Sequence, residues 1–221
     1  MTSAPRNRVR AAILFVAPAV LLVGLAYHPY IAIPRESDVA AAVVSDTTRW
    51  GLAHLVVGVG YGLLALAFLA LRDHLREAGE ERWSVPALPL VVLGCALTAI
   101  LTGMEFAPLT AAETGGDVEA VQSELVPWFL SVVVASGLTF ALGALGFAVA
   151  IVRTRVLGSR LTWLVAGALV VLAVARFVPL GAAFYVTAAA AVLALWPLAY
   201  SMWEQPEARP GEPDVKLSTT A

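Results

Sequence analysis

Long apolar runs alternate with shorter polar segments along the whole chain. Six runs can each cross a membrane as a helix, since a spanning helix needs about 20 consecutive apolar residues. They cover approximately residues 11–27, 51–71, 86–104, 128–152, 161–178 and 181–202. The pattern predicts an all-α polytopic membrane protein with six transmembrane helices arranged as three sequential helical hairpins.

The polar segments at the two ends define the expected domain organisation. Residues 1–10 are predicted to form a cytoplasmic N-terminal arm, and residues 11–203 the transmembrane domain. Residues 204–221 are rich in proline, glycine and polar residues, which predicts a disordered cytoplasmic tail. The basic start followed by an apolar run also fits a signal peptide. The internal repeat described below favours a retained first helix instead.

Two polar segments between the runs share a pattern of their own. Asp38-Val39-x-Ala41 leads to Trp50, and Asp117-Val118 begins a similar series that leads to Trp128. The apolar positions in both follow helical spacing, and charged residues fall on the other face. Each segment therefore predicts a short amphipathic helix on the outer membrane surface.

The composition agrees with a membrane protein and excludes several chemistries. The chain of 221 residues is 60% hydrophobic and 14% charged, whereas soluble domains are nearer half apolar and a quarter charged. The single cysteine, Cys95, rules out an internal disulfide and a cysteine-based zinc motif. The single lysine, Lys216, lies in the tail, which rules out a P-loop and a membrane-embedded Schiff base. No motif diagnostic of a known family is present.

The distribution of basic residues predicts the orientation. With six spans, eleven of the 14 Lys and Arg residues fall on the side of the two termini, and only Arg35, Arg49 and Arg176 fall on the other. Cytoplasmic segments carry the excess of positive charge. We therefore expect a multi-pass protein of the plasma membrane with both termini in the cytoplasm.

A short motif recurs after the first, third and fifth runs. Residues 105–111 read EFAPLTA and residues 176–182 read RFVPLGA, with a looser version, HPYI, at 28–31. With the topology above, all three lie at the outer ends of outward-going helices. We therefore expect a threefold repeat of a hairpin unit, and sites in membrane transport folds tend to lie between such repeats.

Four ionisable residues near that outer boundary are the candidate site residues: His28, His54, Glu105 and Arg176. Ionisable groups at membrane depth are costly, so each should be paired or should face a wet cavity. The first interpretation is an ion pair of Glu105 with Arg176 that fixes two hairpins together. The second is a binding site for a polar or anionic group at Arg176, with Glu105 as proton acceptor. The third is exposure of Arg176 to lipid headgroups.

We expect no cofactor. His28, His54 and Glu105 together would supply the two-histidine, one-carboxylate ligand set of a metal site, and the two histidines could hold a haem. These residues lack the short local spacing that makes such an assignment specific, so both remain weak alternatives. A lone histidine on a helix, such as His54, is more often hydrogen-bonded in the interior.

Small residues predict where helices pack closely. Gly58 and Gly62 form a G-x-x-x-G pair, and Ala135 and Gly143 belong to a series with spacing four. Small residues let helix backbones approach in lipid, so these faces also suggest a homo-oligomer, with membrane lipids as the other partner and no nucleic acid. Thr98 is expected to hydrogen-bond within its own helix or to a neighbouring one.

Three classes of function fit these features. The first is a small transporter or ligand-binding membrane protein with a polar site at the outer ends of the helices. The second is a non-catalytic structural or accessory subunit. The third is a membrane enzyme acting on a lipid-linked substrate at the outer leaflet, which the absence of a nucleophile or cofactor motif disfavours. No charged residue falls in the middle of a run, which counts against an ion pathway.

Overall fold

A computed structural model describes residues 3–204, which form eight helices and no strand. In chain order the helices are α1 (Ser3–Tyr27), α2 (Glu36–Ser45), α3 (Thr47–Glu77), α4 (Ser84–Met104), α5 (Phe106–Thr114), α6 (Val118–Thr154), α7 (Gly158–Ala175) and α8 (Ala182–Trp203). The predicted tail lies outside the described residues, apart from Glu204.

Six segments are long and apolar enough to cross a membrane, which confirms the predicted number. They are α1 from Arg6 onward, α3, α4 together with α5, α6, α7 and α8. Each of these long helices packs against the one before and the one after it in the chain, and α8 packs back against α1. The bundle is therefore a closed ring in sequence order.

The helix starts follow from local capping. The side chain of Asp46 accepts a hydrogen bond from the Arg49 amide at 2.8 Å, and Asp117 accepts one from Ala120 at 3.0 Å. These bonds satisfy amides that have no partner inside the helix at the starts of α3 and α6. The buried Glu80 carboxylate accepts from the amides of Trp83 and Ser84 in the same way before α4.

Several predicted boundaries were wrong. α1 begins at Ser3, so most of the expected N-terminal arm is helical, and α7 ends at Ala175 rather than at 178. The first surface helix is present as α2, but the second, near Val118, is the first turns of the long helix α6. Asp117 caps that helix and no breaker follows before Pro127, so it continues directly into the span.

A helix that the sequence did not predict, α5, occupies part of the acidic segment after α4. Pro108 is its third residue, a position where the missing proline amide costs no helical hydrogen bond. Gly115, with a φ of 75°, ends it in the left-handed conformation that glycine adopts without strain.

The interior of the bundle is tightly packed by aromatic and small residues. Phe68, Phe140 and Phe147 are fully buried, and the ring of Phe68 lies 5.0 Å from that of Phe147 between centroids. A Cβ added to Gly143 would overlap the backbone of Val91, and one added to Gly58 would lie 2.8 Å from Thr102 Oγ1. Both glycines are therefore used for packing within the chain, because α3 and α6 each approach α4 there.

The four residues predicted to pack closely differ in their surroundings. Among the described residues, none lies within 4 Å of a Cβ added to Gly62, and Ala135 is exposed. These two lie on the surface of the chain, whereas Gly58 and Gly143 contact α4.

The two ends of the bundle differ. At one end, α2, α5 and the segment 28–35 lie over the helices, and we call this the capped end. There Val43, Trp50 and Val118 form a small buried cluster of their own. At the other end, the ion-pair end, Arg10 of α1 bonds to Asp73 at 3.3 Å and Glu77 at 2.9 Å on α3.

Candidate functional site

The two predicted histidines meet at the capped end. The ring centroids of His28 and His54 are 4.9 Å apart, and both rings contact Trp50. His28 also contacts Phe184 at the start of α8, with 5.5 Å between centroids. The pair thus joins the segment after α1 to helices α3 and α8.

Backbone carbonyls orient both imidazoles. Nδ1 of His28 donates to the carbonyl oxygen of Pro29, and Nδ1 of His54 donates to that of Trp50, each at 2.8 Å. Burial lowers the pKa of His28, and the positive charge of Arg49 adds to this, while the bond to Pro29 opposes it. His28 is therefore neutral at pH 7 and packs as an uncharged ring.

Glu105 lies between α4 and α5 and turns toward α6. Its carboxylate accepts a hydrogen bond from the amide of Gln122 at 3.2 Å, and its backbone carbonyl accepts one from the Trp50 indole, also at 3.2 Å. Both contacts lie at the capped end. Glu105 therefore connects α5 and α6 to α3 at the edge of the histidine cluster.

Arg176 extends in the other direction, into the bundle. Its Nη1 donates to the hydroxyl of Tyr61 at 2.7 Å, and its Nη2 donates to Thr98 Oγ1. Its guanidinium carbon lies 5.0 Å from the centre of the Tyr61 ring and 4.7 Å from that of Phe140. Tyr61 is near the midpoint of α3, so the positive charge of Arg176 lies well inside the bundle, away from the capped end.

The predicted ion pair of Glu105 with Arg176 was wrong: among residues 3–204, no ion pair joins them. The reason is side-chain direction, because Arg176 reaches inward to Tyr61 while Glu105 faces Gln122.

The absence of a charged residue in the middle of any run was therefore misleading. The Cα of Arg176 lies just past the end of α7, but its long side chain carries the charge inward to Tyr61. Linear position alone places the backbone and not the guanidinium, which lies several ångströms away.

Sequence reasoning missed two partners of Arg176, Tyr61 and Phe140, and half-identified a third, Thr98. The predicted bond of Thr98 within its helix is confirmed, since its hydroxyl donates to the Gly94 carbonyl at 2.8 Å. Tyr61 carried a usable signal, because it is the only tyrosine in the middle of an apolar run. Phe140 carried none that separates it from other core aromatics.

The weak metal alternative gains no support from the arrangement of ligands. Within the part of the chain that the structure describes, no group of three or more His, Cys, Asp or Glu residues is placed to hold a metal ion. His28 and His54 are neighbours, but the Glu105 carboxylate is engaged with Gln122.

Comparison of the chain with protein families, with curated proteins and with solved structures finds no match.

Proposed function

We propose that this chain is a small transporter or ligand-binding membrane protein whose polar site lies inside the helical bundle, around Arg176. One observation carries the proposal. The guanidinium sits among Tyr61, Thr98 and Phe140, and no acidic partner pairs with it among the described residues. Guanidinium groups stay protonated in proteins, and a charge at membrane depth is costly and most often functional.

The proposed topology has three sequential hairpins in the plasma membrane, with both termini in the cytoplasm. The excess of basic residues on the side of the termini supports this orientation. It places the capped end outside, so that a solute would pass the cluster of His28, His54 and Trp50 before meeting Arg176. Gly62 and Ala135 remain the surface positions for a proposed homo-oligomer.

A structural or accessory role is the second candidate, and a specific observation favours it. The two hydrogen bonds of Arg176 tie α7 to α3 and α4, which are not its neighbours along the ring. In that case Arg176 would stabilise the bundle without binding any solute, and its loss would lower stability only.

Thermal unfolding in lipid nanodiscs separates the two candidates. The protein is heated with a panel of small solutes at equal concentration: glycerol, glucose, methylammonium, acetate, chloride and phosphate. A binding protein is stabilised by a ligand of its folded state, so we expect at least one solute to raise the unfolding temperature. The same solute should leave Arg176→Gln unshifted.

A panel that shifts neither protein would contradict the proposal and favour the accessory role. A shift of equal size in Arg176→Gln would place binding elsewhere. For any solute that binds, osmotic swelling of proteoliposomes then distinguishes a transporter, which admits the solute faster than protein-free vesicles do, from a binding protein that does not.

A further inference from the structure

The guanidinium of Arg176 retains donors that the fold does not use. An arginine side chain has five N–H groups, and here one on Nη1 bonds to Tyr61 and one on Nη2 to Thr98. Nε is buried and has no hydrogen-bond partner among residues 3–204. A buried N–H without an acceptor costs about 1–3 kcal/mol, so such groups in native folds call for an explanation.

A second unused donor lies beside the first. The Tyr61 hydroxyl accepts from Arg176, so its own hydrogen remains available, and no acceptor for it occurs within residues 3–204. The Thr98 hydroxyl differs, because it gives its hydrogen to the Gly94 carbonyl. Arg176 and Tyr61 thus offer two kinds of unused donor, N–H and O–H, at one place.

The charge around the site sets the charge of the ligand. Arg49, a basic residue of the capped end that precedes Tyr61 on α3, donates to the Tyr27 carbonyl at 2.8 Å and lies over the Tyr27 ring. A single guanidinium therefore faces the ligand, with the rings of Tyr61 and Phe140 beside it. One positive charge in an apolar surrounding balances a monoanion and leaves a dianion half compensated.

We infer that the site takes a small monocarboxylate, whose two oxygens accept from the free guanidinium N–H groups of Arg176 and from the Tyr61 hydroxyl. Guanidinium and carboxylate are both planar and form two parallel hydrogen bonds, which a spherical halide cannot do. A short alkyl remainder would lie beside the rings of Tyr61 and Phe140. This inference rests on the proposed function and names the ligand class of the same site.

Calorimetric titration of the protein in nanodiscs tests the ligand class, with sodium propionate, chloride, phosphate and glycerol as probes. We expect saturable binding of propionate that is at least about tenfold tighter than that of chloride or phosphate. Arg176→Lys keeps the charge but loses the fork of donors, and should weaken propionate binding by about tenfold or more. Tyr61→Phe should weaken it by about fivefold, the effect of one hydrogen bond.

Arg153→Lys is the matched control, since Arg153 is exposed at the far end of α6 and should bind propionate as the unaltered protein does. If Arg176→Lys does not yield a monodisperse protein, Tyr61→Phe carries the test alone.

The outcomes separate the ligand class from the proposed function. Binding of glycerol or chloride without propionate would overturn the carboxylate assignment and leave a ligand-binding protein. No binding of any probe would overturn the carboxylate assignment, and it would contradict the proposed function as well if no solute of the thermal panel shifts the unfolding temperature. Propionate binding that persists unchanged in Arg176→Lys and Tyr61→Phe would overturn the assignment of the site.

Discussion

Residues 105–111 and 176–182 share a sequence pattern but fold differently. In the first, EFAPLTA, the chain leaves α4 and enters the helix α5 at Phe106. In the second, RFVPLGA, the chain turns after α7 and enters α8 at Ala182. The phenylalanine of each motif packs against a glycine of a neighbouring helix: Phe106 lies near Gly51 of α3, and Phe177 lies on Gly137 of α6.

The difference follows from the length of chain available. The segment 105–117 joins α4 to α6 and has room for a helix on the surface, whereas 176–181 must join α7 to α8 directly. The longer connection leaves Glu105 in the cap beside Gln122, and the shorter one leaves Arg176 at a level from which it reaches Tyr61. Equal motifs thus place opposite charges at different depths.

The largest effect is expected from a substitution in the short turn between α7 and α8. A Cβ on Gly181 would overlap the carbonyl oxygen of Ile31, and the Gly181 amide donates to the Ala32 carbonyl at 3.0 Å. Gly181→Ala should therefore lower the free energy of unfolding by about 3 kcal/mol in mixed micelles.

The matched change in the other connection is Gly116→Ala, where the added Cβ would lie 3.4 Å from the Ala111 carbonyl oxygen. That variant should stay within about 0.5 kcal/mol of the unaltered protein. Equal losses in both variants would contradict the view that the two connections are differently constrained.

The next largest effect on stability is expected when one hydrogen-bond partner of Arg176 is removed. Tyr61→Phe deletes the hydroxyl that accepts from the guanidinium, so unfolding in mixed micelles should require about 1–2 kcal/mol less. Tyr30→Phe is the control, because Tyr30 is 62% exposed and should tolerate the change. If Tyr61→Phe were as stable as the unaltered protein, the position of Arg176 would not depend on this bond.

A pH titration of the unaltered protein and of His28→Gln examines one residue of the capped end. The pKa of His28 is lowered in the folded protein, so the unfolded chain binds the proton more readily. The contribution of His28 to stability should be constant above about pH 6.5 and fall as the pH drops from there toward its lower folded-state pKa, by at most about 1.4 kcal/mol per pH unit. His28→Gln should reduce this slope in acid unfolding curves; an unchanged slope would assign it to other groups.

The smallest effect concerns Glu105. Glu105→Gln keeps an oxygen that accepts from Gln122, and no cation among residues 3–204 forms an ion pair with Glu105, so stability should change by less than about 0.5 kcal/mol. A loss of several kcal/mol in unfolding titrations would indicate that the carboxylate has a positively charged partner after all.

The spans were predictable because their signal is local and strong. Twenty apolar residues in a row leave few alternatives in a membrane, and the helix caps Asp46 and Asp117 stand where the helices begin. α5 was not predictable by the same means, since its acidic neighbourhood resembles a solvated loop.

The sequence indicated which residues belong to the candidate site but not how they are arranged. The backbones of all four residues lie near the capped end, and His28 contacts His54, two residues that the metal alternative grouped together. The direction of the Arg176 side chain depends on the relative heights of α7, α3 and α4, which no periodicity reveals. The motif therefore suggested an ion pair between two residues that each bind something else.

Two double-mutant cycles in the same unfolding assay test the central claim most directly, by comparing the coupling of Arg176 to Tyr61 with its coupling to Glu105. Arg176→Gln is combined with Tyr61→Phe in one cycle and with Glu105→Gln in the other. An inward-facing guanidinium predicts about 1–2 kcal/mol of coupling to Tyr61 and less than about 0.3 kcal/mol to Glu105. Strong coupling to Glu105 with none to Tyr61 would contradict the account, because it would return Arg176 to an ion pair in the cap.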